Sequence, residues 1–183
     1  MIKLLVLVGP SASGKSAIVK HLEKEYGIKK FVTCTTRPIR VGEVDGVDYY
    51  FFDKEEFLTR YNNCEFIETV FYNGNYYGTL KSEVDIKKVV ILEPQGLNKF
   101  IDNINNVFAV YLETDEEYRI KRMVGRGDAS LDIMKRIEND RVLFGKEQLS
   151  RIDYTINTTH LSVEEITRLI FIHYQAFCRE INS

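Results

Sequence analysis

Cysteine is scarce in this chain of 183 residues: Cys34, Cys64 and Cys178 are odd in number, scattered and without any C-x-x-C spacing. That pattern argues against a disulfide framework and a cysteine metal cluster, and it fits free thiols in a reducing compartment. Histidine is equally thin, and His21, His160 and His173 lie far apart, so each reads as a surface or helix-face residue. Long apolar runs are missing too. The run before the first glycine is about seven residues, too short to cross a membrane. It has no small-residue cleavage site after a longer apolar stretch, so no signal peptide is expected and the expected location is cytoplasmic. The net charge of −2 provides no basic field, so neither nucleic acid nor an anionic membrane is an expected partner. Internal repeats, low-complexity tracts and linkers are absent. What remains is 44% apolar and 28% charged, at a length that suits one globular domain with a proper core.

Against that plain background one segment stands out. Gly9-Pro10-Ser11-Ala12-Ser13-Gly14-Lys15-Ser16 fits G-x-x-x-x-G-K-[ST]. It follows the apolar run Ile2 to Val8, which reads as a buried strand, and precedes Ala17 to Leu22, which reads as the start of a helix. Strand, glycine loop, helix is the context in which this motif binds phosphate. Gly9 and Gly14 let the backbone curl so that successive N–H groups point into one concavity. The helix N-terminus adds unpaired amides and a positive dipole end. Lys15 supplies a mobile charge for the β- and γ-phosphates of a nucleoside triphosphate, and the Ser16 hydroxyl can ligate Mg2+.

The rest of the chain alternates strand and helix. Expected strands are 2–8, Lys30 to Cys34, Lys88 to Leu92, Val107 to Leu112 and Tyr154 to Asn157. Expected helices are 15–26, 94–104, 115–124, 130–149 and 162–180. Such alternation predicts an α/β fold with a parallel sheet covered by helices on both faces. The last helix has an apolar stripe through Val163, Ile166, Leu169, Ile170, His173 and Phe177, which predicts a core-facing side. Two segments break the pattern. Residues 35–80 are rich in tyrosine, phenylalanine and glycine, with a short helix near Lys54 to Tyr61, and read as an inserted subdomain. Lys121 to Asp128 reads as a basic, glycine-hinged turn between helices, able to swing.

Inside the insertion, Arg37 and Arg40 lie three apart on a proline-stiffened loop. Two planar guanidinium forks so placed make a strong dianion site. They are followed by Val41-Gly42-Glu43-Val44-Asp45-Gly46-Val47-Asp48-Tyr49, Glu65-Phe66-Ile67-Glu68 and Gly74-Asn75-Tyr76-Tyr77-Gly78-Thr79. At these residues, in this order and spacing, the chain closely resembles the guanylate kinases. With the glycine loop and the basic segments of the second half, the resemblance covers essentially the whole chain.

The resemblance implies a P-loop nucleoside monophosphate kinase fold: a five-stranded parallel sheet flanked by helices, an inserted GMP-binding subdomain and a helical lid. The core would be 1–34, 81–121 and 150–183, the GMP-binding insertion 35–80 and the lid about 122–149. It implies ATP-dependent phosphorylation of GMP, and of dGMP, to the diphosphate, with Mg2+ accompanying ATP. Residues Gly9, Pro10, Ser11, Ala12, Ser13, Gly14, Lys15, Ser16 and Ala17 would hold ATP phosphates, and Asn157 would lie near the adenine. Arg37 and Arg40 would hold the GMP phosphate with the hydroxyls of Tyr49 and Tyr77. Glu68 would accept the adjacent N1–H and N2–H donors of guanine, and Thr33 and Thr79 would add hydroxyls beside it. Lys15, Arg122, Arg126 and Arg136 would neutralise the transferring phosphoryl group. Tyr76 is expected to pack.

The chain also departs from the family. Two aspartates usually precede its Gln-Gly pair, two residues apart, where this chain has Ile91 and Glu93 ahead of Pro94, Gln95 and Gly96. Glu93 is one methylene longer, and two readings stay open: it compensates for the missing carboxylate near magnesium, or it serves the guanine. Thr158 and Thr159 stand where acidic residues are usual. A module of this fold that binds nucleotide or partner without turnover is the alternative function. Monomer and homodimer both remain open.

Overall fold

The run before the glycine loop forms strand β1 (Leu4–Val8), and all five of its residues are fully buried. Burial on both faces is what an unbroken apolar run implies for the middle of a parallel sheet. The computed structural model describes residues 4–72, 74–83 and 87–180, with only the backbone of Lys146 and Glu180; Ile2 and Lys3 of the expected first strand lie outside these. Beside β1 lie β7 (Lys88–Ile91) and β8 (Val107–Glu113), with β2 (Lys29–Lys30) and β9 (Tyr154–Asn157) at the edges. The order is β2-β7-β1-β8-β9, and every pairing is parallel.

Because strand side chains alternate, β1 feeds two apolar layers. Leu5 and Leu7 pack with Ile18 and Leu22 of α1 (Lys15–Tyr26) and with Ile166, Ile170 and Tyr174 of α6 (Val163–Glu180). Leu4, Val6 and Val8 pack with Leu97 and Phe100 of α3 (Pro94–Asn103) and with Ile67. The expected stripe on the last helix is the face that packs, although His173 is exposed and stacks on Tyr154 at 4.0 Å between ring centres.

Residues 34–80 build a second sheet, ordered β4-β3-β6-β5, from β3 (Cys34–Thr35), β4 (Tyr50–Phe51), β5 (Phe66–Tyr72) and β6 (Asn75–Leu80). The single strand expected from Lys30 to Cys34 is thus two. The chain leaves the parallel sheet after Lys30 and joins the second sheet at Cys34, where its partners become Tyr50 and Gly78. Helix α2 (Lys54–Asn62) is capped by the Asp53 side chain, which accepts the Glu56 N–H at 2.7 Å. Its Phe57 stacks on Phe66 under this sheet.

Helices α4 (Glu116–Gly125) and α5 (Ser130–Leu143) form a pair with a small core of Met123, Ile133 and Ile137, against which Ala12 packs. Lys121 to Gly125 complete the last turn of α4, so the link between the helices is shorter than the sequence suggests. Arg122 sits on a helix, not on the turn. Among the described residues no helix is long and apolar enough to cross a membrane.

Candidate active site

The glycine loop follows β1 and caps α1 with Gly14, whose φ of 98° is the left-handed conformation glycine adopts without strain. Gly9 serves differently: a side chain there would meet the Leu112 carbonyl oxygen at 2.8 Å, so glycine lets the loop cross close over β8. The first turn of α1 contains no acidic residue, so its positive end is left for a ligand. Lys15 folds back over the loop, donating to the Gly9 and Pro10 carbonyls, the latter at 2.9 Å. Burial pushes its ammonium below the usual lysine range, while the carboxylates of Glu93 and Asp140 oppose that shift.

In front of this loop lies a cavity of about 700 Å³ between the two sheets. Ser11 and Ser16 line it from the loop, Ile91 and Glu93 from the end of β7, and Arg136 from α5. From the second sheet and its loops come Thr33, Arg37, Arg40, Tyr49, Glu68 and Tyr77. One cavity therefore collects the N-terminal end of α1, two loop arginines, three tyrosines (Tyr49, Tyr72 and Tyr77) and a buried carboxylate.

The Glu68 carboxylate is the most specific feature. It is 6% exposed, and its Oε1 accepts the Thr79 hydroxyl at 2.6 Å. Burial raises its pKa to about 7, against the opposing effects of the Thr79 hydrogen bond and the Lys99 ammonium. Gly96 permits this placement, since a side chain there would lie 3.3 Å from Glu68 Oε2. A carboxylate with one oxygen held and the other beside an open cavity can receive a pair of N–H donors.

The arginines are held in different ways. One Arg37 nitrogen, Nη2, donates to both Glu43 carboxylate oxygens at 2.8 and 3.0 Å, and Nη1 donates to the Pro38 carbonyl at 2.6 Å. Its guanidinium lies 5.6 Å from the Tyr49 ring centre. Arg40 is exposed, and its side chain has no hydrogen-bond partner among the described residues. Burial, with Tyr77 nearby, pushes the Tyr49 hydroxyl up to about 12, against the opposing Arg37 charge, so it stays a proton donor. Arg122 donates to the Ala12 and Thr158 carbonyls at 3.0 and 3.2 Å. Arg126 and Arg136 share Asp128 at 2.7 and 3.1 Å. Arg136 lines the cavity; Arg126 does not.

The guanylate kinase family model matches residues 1–169. The chain belongs to the guanylate kinase family. A guanylate kinase from Thermobifida fusca is 33% identical over 178 residues, 92% of this chain and 90% of that protein. One from Fusobacterium nucleatum subsp. nucleatum is 35% identical over 144 residues, 74% of this chain and 78% of that protein. The crystal structure of guanylate kinase from Anaplasma phagocytophilum superposes with a TM-score of 0.72 at 28% identity, covering 96% of this chain and 85% of the other.

Of the residues expected at the site of a guanylate kinase, Thr79, Arg122, Arg126 and Asn157 do not line this cavity, and from the glycine loop only Ser11 and Ser16 do. Asn157 is exposed at the end of β9, where its Oδ1 accepts the Thr159 N–H at 2.9 Å. Thr158 and Thr159 are buried. Thr158 Oγ1 lies 2.6 Å from the Thr114 hydroxyl and 3.3 Å from the Ser13 carbonyl, and Thr159 Oγ1 accepts the Asp115 N–H at 3.0 Å. Thr158 braces the loop from beneath, and Thr159 holds the start of α4.

Four polar residues had no role assigned from the sequence. Glu43 holds Arg37 and accepts the Arg40 N–H at 2.8 Å; its place in the G-E pair after the arginines was the available signal. Lys30 crosses from β2 to donate to the Val47 and Asp48 carbonyls at 3.2 and 2.5 Å, just before Tyr49. Asp140 and Arg119 form a buried pair at 2.6 Å against Ser11, and no local pattern announces it.

Proposed function

We propose that this chain transfers the γ-phosphoryl group of ATP to GMP, and to dGMP, giving ADP and the guanosine diphosphate. We further propose that it acts in the cytoplasm, in purine nucleotide metabolism. The reading divides the chain into a core (1–34, 81–121, 150–183), a GMP-binding insertion (35–80) and a lid (about 122–149). The observation that carries it is Glu68: a buried carboxylate, held on one side by Thr79, in the cavity that also contains the glycine-loop helix end. Guanine offers adjacent N1–H and N2–H donors, and adenine lacks that pair.

In this reading Arg37, Arg40, Tyr49 and Tyr77 hold the GMP phosphate, with Thr33 beside the base. The loop amides of residues 9–17 hold the ATP phosphates, and Asn157 borders the adenine. Lys15 leaves the Gly9 and Pro10 carbonyls for the β- and γ-phosphates. Arg122, Arg126 and Arg136 neutralise charge on the transferring oxygens while their helices shut out water. The donor set suits Mg2+ carried in by nucleotide: no cluster of three acidic, histidine or cysteine residues occurs among the described residues, while Ser16 Oγ lies exposed at the cavity edge. Ser16 would hold the Mg2+ that arrives with ATP, and the ion would supply charge neutralisation at the phosphates. Glu93, within reach of the Lys15 charge, orients groups on that side or faces guanine.

A steady-state panel of GMP, dGMP, AMP, UMP and CMP with Mg-ATP tests the proposal. Turnover of the two guanine nucleotides, far ahead of the others, is expected. Nucleotide binding with no turnover on any of the five would establish the alternative, a binding module. That alternative draws on Ile91, an apolar residue lining the cavity where the family usually has a carboxylate.

A further inference from the structure

Beneath the helices that present the arginines lies a buried charge pair with no place in the mechanism above. Arg119 of α4 donates to Asp140 Oδ2 of α5 at 2.6 Å, with side chains 6% and 3% exposed. Both charges converge on one residue of the glycine loop. Asp140 Oδ2 accepts the Ser11 N–H at 2.9 Å, Oδ1 accepts the Ser11 hydroxyl at 3.2 Å, and Arg119 reaches the Ser11 carbonyl at 3.4 Å. One turn along α4, Arg122 takes the Ala12 carbonyl.

Stability does not explain the pair. Burying two charges costs about as much as their attraction returns, and apolar residues of similar volume commonly serve as well or better. Arg119 Nε is moreover buried without a hydrogen-bond partner, which adds a further cost. The loop itself supplies an explanation. Ala12 has a φ of 61°, in the left-handed region that a residue with a side chain seldom occupies. Such a conformation persists when its surroundings over-determine it. Here the peptide groups on either side of Ala12 are held by Arg119 and Arg122, Asp140 holds the Ser11 N–H one peptide upstream, and the Ala12 methyl packs on the small core of α4 and α5.

Asp140 also lies four residues after Arg136 on α5, on the same helix face. That face thus grips the loop at one level and presents an arginine to the cavity one turn away. Outboard of it, Arg126 and Arg136 meet only Asp128 in side-chain ion pairs among the described residues. We infer that Arg119 and Asp140 are positioning residues that fix the rim of the phosphate loop and set the height of Arg136 over the transferring phosphoryl group, touching neither nucleotide. This rests on the kinase reading above.

Two variants test it. Asp140→Asn keeps the shape but places an amide where Ser11 and Arg119 both donate. It should lower kcat/KM for ATP about tenfold or more, since small misplacements of reacting groups carry costs of that size. KM for GMP should stay within about twofold, and Asp140→Glu should recover part of the loss. The double variant Arg119→Leu with Asp140→Leu should melt at or above the wild-type Tm yet keep the loss toward ATP. A double variant with native Tm and wild-type ATP parameters would overturn the inference and leave the pair a packing device. Should the double variant not fold, Asp140→Asn with an unchanged Tm and unchanged kcat/KM for ATP overturns it equally. Displacement of a fluorescent ATP analogue separates this inference from the kinase reading. If the wild type turns over none of the five acceptors, that reading falls, while equal ATP affinity in wild type and Asp140→Asn would still sink the positioning role.

Discussion

Arginines meet the cavity from two sides, and the two sides are held differently. On the second sheet, Arg37 is clamped by both oxygens of Glu43, with side chains only 10% and 20% exposed, and lies against the Tyr49 and Phe51 rings. On the helix pair, Arg126 and Arg136 share one aspartate and are 53% and 31% exposed. On the first side Arg37 is thus held in place in advance, and on the proposed reading an arriving phosphate must compete with a carboxylate already there. The second is loosely paired, so its arginines can leave Asp128 at little cost. A kinase needs both kinds. Acceptor specificity requires fixed geometry, whereas charge neutralisation at the transferred group must wait until both substrates are in and water is out.

Two substitutions put the largest strain on this comparison. Arg37→Met should raise KM for GMP about 100-fold, and it should also lower stability by about 1–3 kcal/mol, because Glu43 is left largely buried without its partner. Arg136→Met should lower kcat about 100-fold, the usual cost of one charge-stabilising donor, with stability unchanged within about 0.5 kcal/mol. Steady-state kinetics and denaturant melts of the same two proteins read both effects. Equal stability losses would erase the distinction between a preformed and a loose site.

Glu68 sharpens the comparison from the acceptor side, with a smaller effect. Burial raises its carboxyl from 4.5 to about 7, so between these values the folded chain holds a proton that the unfolded chain has released. The stability tied to that proton is complete below about pH 4.5 and is lost as pH rises to about 7. Glu68→Gln should therefore match wild type near pH 4.5 and exceed it by up to roughly 3 kcal/mol at pH 8. On the proposed reading, guanine reverses the value of the charge, since its two N–H donors need the ionised form. KM for GMP should be about tenfold higher in Glu68→Gln at pH 8, and the gap should narrow as pH falls through 7. The phosphate of GMP titrates alike for both proteins, so the gap isolates Glu68. KM for ATP should not move. A gap of constant size from pH 6 to 8 would show that this carboxyl does not titrate at the site.

What the sequence could and could not reveal follows from the range of the interactions. Helix α1 begins and ends as the apolar spacing and Gly27 require, and β9 was placed to the residue, because such signals lie within a few neighbours. The division of Lys30 to Cys34 between two sheets was hidden, since β propensity says nothing about which partner a strand finds. Arg122 fell within both the expected helix 115–124 and the expected turn 121–128, and packing of Met123 carries α4 as far as Gly125. The residues converging on the cavity were legible through short motifs. The groups that hold them were less so: Asp140 meets Ser11 across 129 residues and Lys30 meets Asp48 across 18, and neither spacing leaves a local trace.

The smallest expected effect concerns the departure at Ile91. Its side chain is half-buried, lining the cavity on one side and packing against the apolar layer of α1 and α6 on the other. Glu93, at the N-cap of α3, is within reach of the Lys15 charge, and burial raises its pKa despite that lysine. A carboxylate is therefore already present near the Lys15 charge at this strand end, at the place of the second aspartate and two residues beyond the missing first one. Ile91→Asp would add a second one, and like charges so close resist joint ionisation. The substitution should change kcat by no more than about threefold and lower stability by about 1–3 kcal/mol, from a polar group set against the apolar layer. A rise in kcat beyond about tenfold, or markedly tighter dependence on Mg2+, would mean that Glu93 does not compensate and that the isoleucine is a true catalytic defect. Glu93→Gln in the native background completes the argument. If Glu93 supplies the missing charge, this variant loses activity that Ile91→Asp then restores; if Glu93 instead faces guanine, KM for GMP rises and the aspartate restores nothing.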